Sequence, residues 1–194
     1  MIKKQLLLIV LVLVITTTVA GYFYFTSISV AQKSTSSSVN QELTARFNYL
    51  AKNGNTNCSK TFTESISSMS DNARLQGSCC SPMVLQRYTE QISGLKKYKD
   101  ISQIPSDPYD LPAKLAKELL SYNQTIKPTA EEQKILDQGE MASEEKGFCC
   151  CKCWRWDAHE GMSKFLVRNN HFNSKQISEL LDLQDGCGGG ENHA

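Results

Sequence analysis

The 194-residue chain has no run of more than two basic residues, and Lys3 with Lys4 alone exceeds its formal net charge of +1. A nucleic-acid footprint needs a clustered basic face, so that class of partner is excluded. Cys-x-x-Cys-His is missing, which removes covalent haem attachment. No cysteine closely follows the N-terminal apolar run, which argues against a lipoprotein anchor. No stretch of about four to eight residues alternates as a half-buried strand does. No internal repeat is visible. What remains is a helical chain with an unusual amount of sulfur.

Charge is also missing from Gln5 to Gln32, and the core of that stretch, Leu6 to Phe25, reads LLLIVLVLVITTTVAGYFYF. About 20 apolar residues span a bilayer as a helix. Lys3 and Lys4 on the short side place the N-terminus in the cytoplasm and the rest outside, with Tyr22 to Phe25 as an aromatic belt. Thr18-Val19-Ala20 and Ser29-Val30-Ala31 offer small residues for signal-peptide cleavage, but the run exceeds a usual h-region, which favours a retained anchor. Residues 1–30 are therefore assigned as a signal anchor or transmembrane helix. The expected location is the cell membrane, single-pass, with the C-terminal domain outside the cytoplasm (secreted if Leu6–Phe25 is cleaved). Residues 31–38, AQKSTSSS, form a Ser-rich tether.

Residues 39–187 read as one all-α domain of about six helices, long enough to have its own core. A first helix runs from about Val39 to Lys52, with a Ser38–Gln41 capping box, and Asn53-Gly54 ends it. Thr61 to Met69 forms a short helix with Phe62, Ile66 and Met69 inward. Ser81 is the N-cap and Pro82 the first residue of a helix to about Tyr98. Ile101 to Pro112 carries three prolines and is an ordered or extended loop. Pro112 opens a helix to about Tyr122. Thr129 with Glu132 caps another to about Glu145, stopped by Gly147. A helix from roughly Cys150 to Arg168 puts Cys151 and Trp154 on the core side, with Cys149 and Cys153 facing elsewhere. The last helix starts at Asn173 or Ser174 and stops at Asp185-Gly186, and residues 188–194 are a flexible tail.

The chain is organised around Phe148 to Trp156, FCCCKCWRW, where Cys149, Cys150, Cys151 and Cys153 occupy five positions. Cys79-Cys80 is a second, vicinal pair, and Cys58 and Cys187 stand alone among the 8 cysteines. An even count in an oxidising compartment is compatible with structural disulfides. Adjacent Cα atoms lie about 3.8 Å apart, closer than a relaxed disulfide allows, so neighbours should not pair. A framework without strain pairs the four clustered cysteines one to one with Cys58, Cys79, Cys80 and Cys187.

Spacing also supports chemistry. Cys150-x-x-Cys153 and Cys151-x-Cys153 can place two thiolates on one soft ion, Cu(I) or Zn(II). The Cys-x-x-Cys spacing equally serves dithiol–disulfide exchange, with Cys187 or the Cys79-Cys80 pair resolving. Both clusters precede a predicted helix N-terminus, which favours thiolates, and Lys152 and Arg155 add positive charge. Cys187, before three glycines, reads either as a mobile terminal thiol or as a disulfide tether for the last helix. His159 and His171 are taken as surface or capping residues, and the tryptophans as packing anchors. The candidate metal ligands are Cys79, Cys80, Cys149, Cys150, Cys151 and Cys153. No catalytic residue set is identified, and whether the chain is an enzyme stays open.

The order Cys58, Cys79-Cys80, Cys150-x-x-Cys153 resembles the cysteine-rich domains of heterodisulfide reductases, although Ser81 replaces the glycine after the vicinal pair. That resemblance implies an iron–sulfur cluster, ranked behind copper or zinc. The CCxP turn, CCCxCWRW and terminal DGCGG together resemble a group of N-terminally anchored, cysteine-rich prokaryotic proteins, a likeness that carries no function. The expectation is a membrane-tethered domain that binds or transfers a soft metal ion, copper ahead of zinc. Its alternatives are a thiol–disulfide redox protein or a disulfide-stapled binding module without chemistry. The implied partners are the membrane and a metal or redox partner protein.

Overall fold

In the computed structural model, residues 39–188 are described. The anchor and tether assignments, and the tail beyond Gly188, lie outside the described residues. Among the described residues no helix is long and apolar enough to cross a membrane. The compact unit that carries the cysteines begins at Arg46.

The domain is mostly helical. Helix α1, seen over residues 39–52, leads to α2 (Lys60–Ile66), α3 (Leu85–Leu95), α4 (Ala113–Thr125), α5 (Ala130–Ala142), α6 (Trp154–Asn170) and α7 (Ser174–Gln184). Local chemistry starts several of them. Thr129 and Asn173 each accept from the backbone three residues on, and Glu132 and Gln176 return the bond, so both capping boxes form. Ser59 caps α2 by accepting from the Phe62 amide at 3.1 Å. At the other end of α6, His171 takes a left-handed conformation as C-cap, with φ 55°.

Three expectations are corrected. Two short strands exist, β1 (Arg74–Gln76) and β2 (Asp110–Pro112), paired antiparallel with Leu75 opposite Leu111. Three-residue strands are too short to show a period, and this ribbon is held by side chains. Arg74 Nε lies 2.6 Å from buried Asp110, which also pairs with Arg46. Second, α3 begins at Leu85, not at Pro82. The Ser81 hydroxyl and amide both donate to the Cys187 carbonyl at 2.9 Å, so Ser81 ties down the far end of the chain instead of capping a helix. Third, α6 begins at Trp154, and the clustered cysteines lie on the irregular segment before it, with Cys153 as N-cap.

Helix α6 is the axis of the core. Trp154, Ala158, Met162 and Leu166 are buried along it, a spacing of three or four residues that makes one face. Gly161 lets α4 come close, since a Cβ there would lie 2.0 Å from the Leu119 carbonyl oxygen. Gly139 allows the same between α5 and α7, against Ile177. The loop after α1 docks on β1 through Asn55, whose amide donates to the Gln76 carbonyl at 2.9 Å and whose Oδ1 accepts from the Gln76 amide at 2.8 Å. Gly77 then turns with φ 79°, packed so tightly that a Cβ would meet Gly54 Cα at 2.5 Å. That turn delivers Cys79 and Cys80 to the mouth of α6.

Candidate thiolate metal centre

Four chain segments meet at this point and bring together all eight cysteines, each a free thiol. From the loop after α1 comes Cys58, whose sulfur is 3.2 Å from Cys80 and 3.3 Å from Cys151. Cys80 also lies 3.5 Å from Cys79, 3.7 Å from Cys150 and 3.6 Å from Cys151. From the end of α7, Cys187 reaches Cys149 at 3.0 Å and Cys79 at 3.9 Å. Cys153 joins the network through Cys58 and Cys151, the three sulfurs lying within 4.8 Å of one another. The expected convergence of Cys79-Cys80 with the Cys149–Cys153 run is present, and Cys58 and Cys187 join it as full members.

Burial divides the site. Cys149, Cys153 and Cys187 are buried, Cys58, Cys79, Cys150 and Cys151 are partly covered, and Cys80 is exposed. Cys149 and Cys153, expected to face away from the core, point into it because the segment that carries them is not helical. Cys187 is not a mobile terminal thiol. Its carbonyl is held by Ser81, its amide donates to Asp185 Oδ1 at 3.0 Å, and Gly188 packs against Ser81 with φ 93°. Gly188 is therefore part of the packed domain and not of the tail.

The groups around the sulfurs also depart from expectation. His159 is buried, and its Nδ1–H donates to the Phe148 carbonyl at 2.7 Å, which fixes the backbone before Cys149. Asp185, expected only as part of a helix stop, is buried beside Cys149 and Cys187. Arg155 is only 2% exposed. Its Nη1 donates to the Pro108 carbonyl at 2.7 Å and its Nη2 to the Gly77 carbonyl at 3.1 Å, while Nε has no acceptor. The guanidinium stacks on Trp154 and fills the space that Gly186 leaves, where a Cβ would lie 2.2 Å from Nη1. The motif showed a positive charge next to the cysteines, but an arginine at the surface and one fully enclosed look alike in sequence.

The charge has a counterpart. Burial works against the Arg155 guanidinium, yet the lowered Cys79 and Cys149 outweigh it and raise its pKa. Cys79 is held far below the ordinary thiol range by hydrogen bonds from Cys153 and Cys187, with Arg155 adding to them. Cys149 is lowered by Cys150, Cys153 and Cys187. The donors take the reverse shift: Cys150, Cys153 and Cys187 are all pushed up, chiefly because each keeps its proton to share with Cys149. Burial pushes Cys58 up and Cys80 to about 11. The two lowered thiols, Cys79 and Cys149, thus sit among neighbours that are pushed up, beside the buried guanidinium.

The sulfurs are arranged for a metal. Cys80, Cys150, Cys151 and Cys187 have all their sulfurs within 4.8 Å of one another, as do Cys58, Cys151 and Cys153, and Cys58, Cys79 and Cys80. Cys149, Asp185 and Cys187 form a fourth group by the same measure. A metal–sulfur bond near 2.3 Å sets tetrahedral ligands about 3.8 Å apart, close to the 3.7 and 3.6 Å that separate Cys80 from Cys150 and Cys151 within the four-sulfur group. Comparison with protein-family models, with curated proteins and with solved structures finds no match. The cysteine cluster is able to hold a metal ion, and the donor set alone bears on which one.

Proposed function

We propose that this protein binds or transfers a soft metal ion at its eight-cysteine site, copper ahead of zinc, as a membrane-tethered domain outside the cytoplasm. The observation that carries the proposal is the pairing of converged sulfurs with enclosed Arg155. A buried cation is costly unless an opposite charge meets it, and the lowered Cys79 and Cys149 thiols are the groups that can supply one. Neutral disulfides leave the guanidinium without its counterpart, whereas metal-bound thiolates preserve it. Arg155 Nε, buried and without an acceptor, faces the same requirement.

The donor set favours soft ions, since thiolates select Cu(I) and Zn(II) over oxygen-seeking cations. Zinc prefers four ligands. Two of the sulfur groups are triads, which fits Cu(I), with its lower coordination number. The iron–sulfur alternative ranks below both. The anchor expected at Leu6–Phe25 keeps the site at the membrane surface, where a partner protein can deliver or accept the ion.

A second reading is dithiol–disulfide exchange, and one observation favours it. The sulfurs pair across segments as Cys149 with Cys187, Cys58 with Cys151, Cys80 with Cys150 and Cys79 with Cys153, the one-to-one framework that avoids neighbours. One experiment separates the two. The full-length chain is purified in detergent micelles under anaerobic conditions, then assayed for free thiols and for bound metal after Cu(I) or Zn(II) is supplied. Stoichiometric metal retained against a competing chelator supports the proposal. A chain that takes up no metal and carries readily reducible disulfides overturns it in favour of exchange.

A further inference from the structure

The four sulfur groups are not separate. Cys80 belongs to the four-sulfur group and to the triad with Cys58 and Cys79. Cys151 belongs to the four-sulfur group and to the triad with Cys58 and Cys153, and Cys187 to the four-sulfur group and to the pair it forms with Cys149 beside Asp185. Only Cys150, among the four, has membership in one group alone. A single tetrathiolate ion would use four sulfurs and strand the other four. All of those, Cys58, Cys79, Cys149 and Cys153, lie within ligand range of a sulfur already in use.

We infer that the site holds a polynuclear cluster, at least two soft ions bridged by shared thiolates, with Cys58, Cys80, Cys151 and Cys187 as bridging ligands and Cys150 as a terminal one. The inference rests on the metal-binding function proposed above and deepens it. Triangular sulfur sets support it further. Cys58, Cys80 and Cys151 stand 3.2, 3.6 and 3.3 Å apart, and a metal–sulfur bond near 2.3 Å in a trigonal plane asks for edges of about 4.0 Å. The triangle opens by about 0.4–0.8 Å along its edges to accept an ion, which the partly covered Cys58 and exposed Cys80 are free to allow. Each ion that binds displaces S–H protons to solvent, and no electrons are transferred because copper is supplied as Cu(I). Arg155 and the buried thiolates form one end of the cluster, and Cys80 the solvent end, through which ions are exchanged.

The test is an anaerobic titration of the full-length chain in micelles with Cu(I), followed by native mass spectrometry and X-ray absorption. Two or more Cu(I) per chain, sulfur-only coordination and a metal–metal scattering contribution are the expected result. Saturation at one ion with no metal–metal contribution overturns the cluster and leaves metal binding intact. No uptake at all overturns both. Cys80→Ser and Cys150→Ser supply the second measurement, with folding checked by circular dichroism, because neither residue is fully buried. Loss of a bridging sulfur should cut capacity by at least one ion and let partly filled species accumulate, while C150S, which removes a terminal ligand, should weaken binding with a smaller loss of capacity than C80S. Equal losses in the two variants overturn the assignment of Cys80 as a bridge.

Discussion

Arg155→Met tests the charge argument most directly. The substitution keeps much of the side-chain volume against Trp154 and Gly186 and removes the cation. Two hydrogen bonds are lost, at 2.7 and 3.1 Å, and bonds made by charged donors are worth about 1.5–3 kcal/mol each. The Pro108 and Gly77 carbonyls are left without that donor, and the thiolates lose their buried counter-charge. The combined cost is about 3–5 kcal/mol, the range for breaking a buried charge pair from one side. With a urea m-value of about 2 kcal/mol/M, the unfolding midpoint of the reduced chain falls by about 1.5–2.5 M. The assay is urea denaturation followed by circular dichroism, with reductant and chelator present. Arg155 helps hold Cys79 below its ordinary pKa, so R155M should also need a higher pH for half-maximal metal uptake. If the sulfurs are neutral in the working protein, deleting the charge relieves an uncompensated burial and stability rises. A midpoint for reduced R155M equal to or above that of the unaltered chain refutes the reasoning.

Other outcomes are expected at positions away from the sulfurs. Gly161→Ala places a methyl 2.0 Å from the Leu119 carbonyl oxygen and 2.7 Å from the Asn123 nitrogen, so α4 must shift. Overpacking of this kind costs about 1–3 kcal/mol, read as a lowered Tm, and an unchanged Tm counts against the close α4–α6 approach. Ser81→Ala removes the hydroxyl bond to the Cys187 carbonyl and costs about 1 kcal/mol. Alkylation of Cys187, followed by mass spectrometry, should speed up several-fold, and an unchanged rate removes Ser81 as its tether. Glu132 is lowered from 4.5 to about 2, first by Arg168 and then by the Thr129 amide. Its ionised form therefore contributes stability that is complete above pH 4.5 and lost as pH falls toward 2. The Tm difference between the unaltered chain and Glu132→Gln should shrink over that window, and a constant difference refutes the assignment.

Several helices were legible because their signals are local. Thr129 with Glu132 specifies capping bonds across three residues and forms them where the sequence placed them, and the last helix starts at Ser174 with Asn173 as its cap, within the expected bounds. The weaker places are those where a polar group had a choice of partner. Ser81 reads as a helix cap until Cys187 arrives from the far end of the chain and takes its hydroxyl. The 3.6-residue period, extended backward from Trp154, turned Cys149 and Cys153 outward, whereas the irregular segment before α6 sends both inward. Asp110, held by Arg74 and Arg46, stabilises a ribbon whose strands are too short to announce themselves.

By itself the sequence determined the inventory: eight cysteines in four segments, their spacing, the helical class, and an apolar leader that sets the expected compartment. Tertiary structure alone decided that those segments meet, that Cys58 and Cys187 belong to the site, and that Arg155 is enclosed beside it. The physical reason is range. Caps and helix periods are settled within a few residues, but the FCCCKCWRW sulfurs meet their partners through contacts between segments far apart in the chain, among them the tight Gly77 turn that leads into Cys79-Cys80. Whether a cation costs or contributes depends on burial, and burial does not exist until the chain has folded around it.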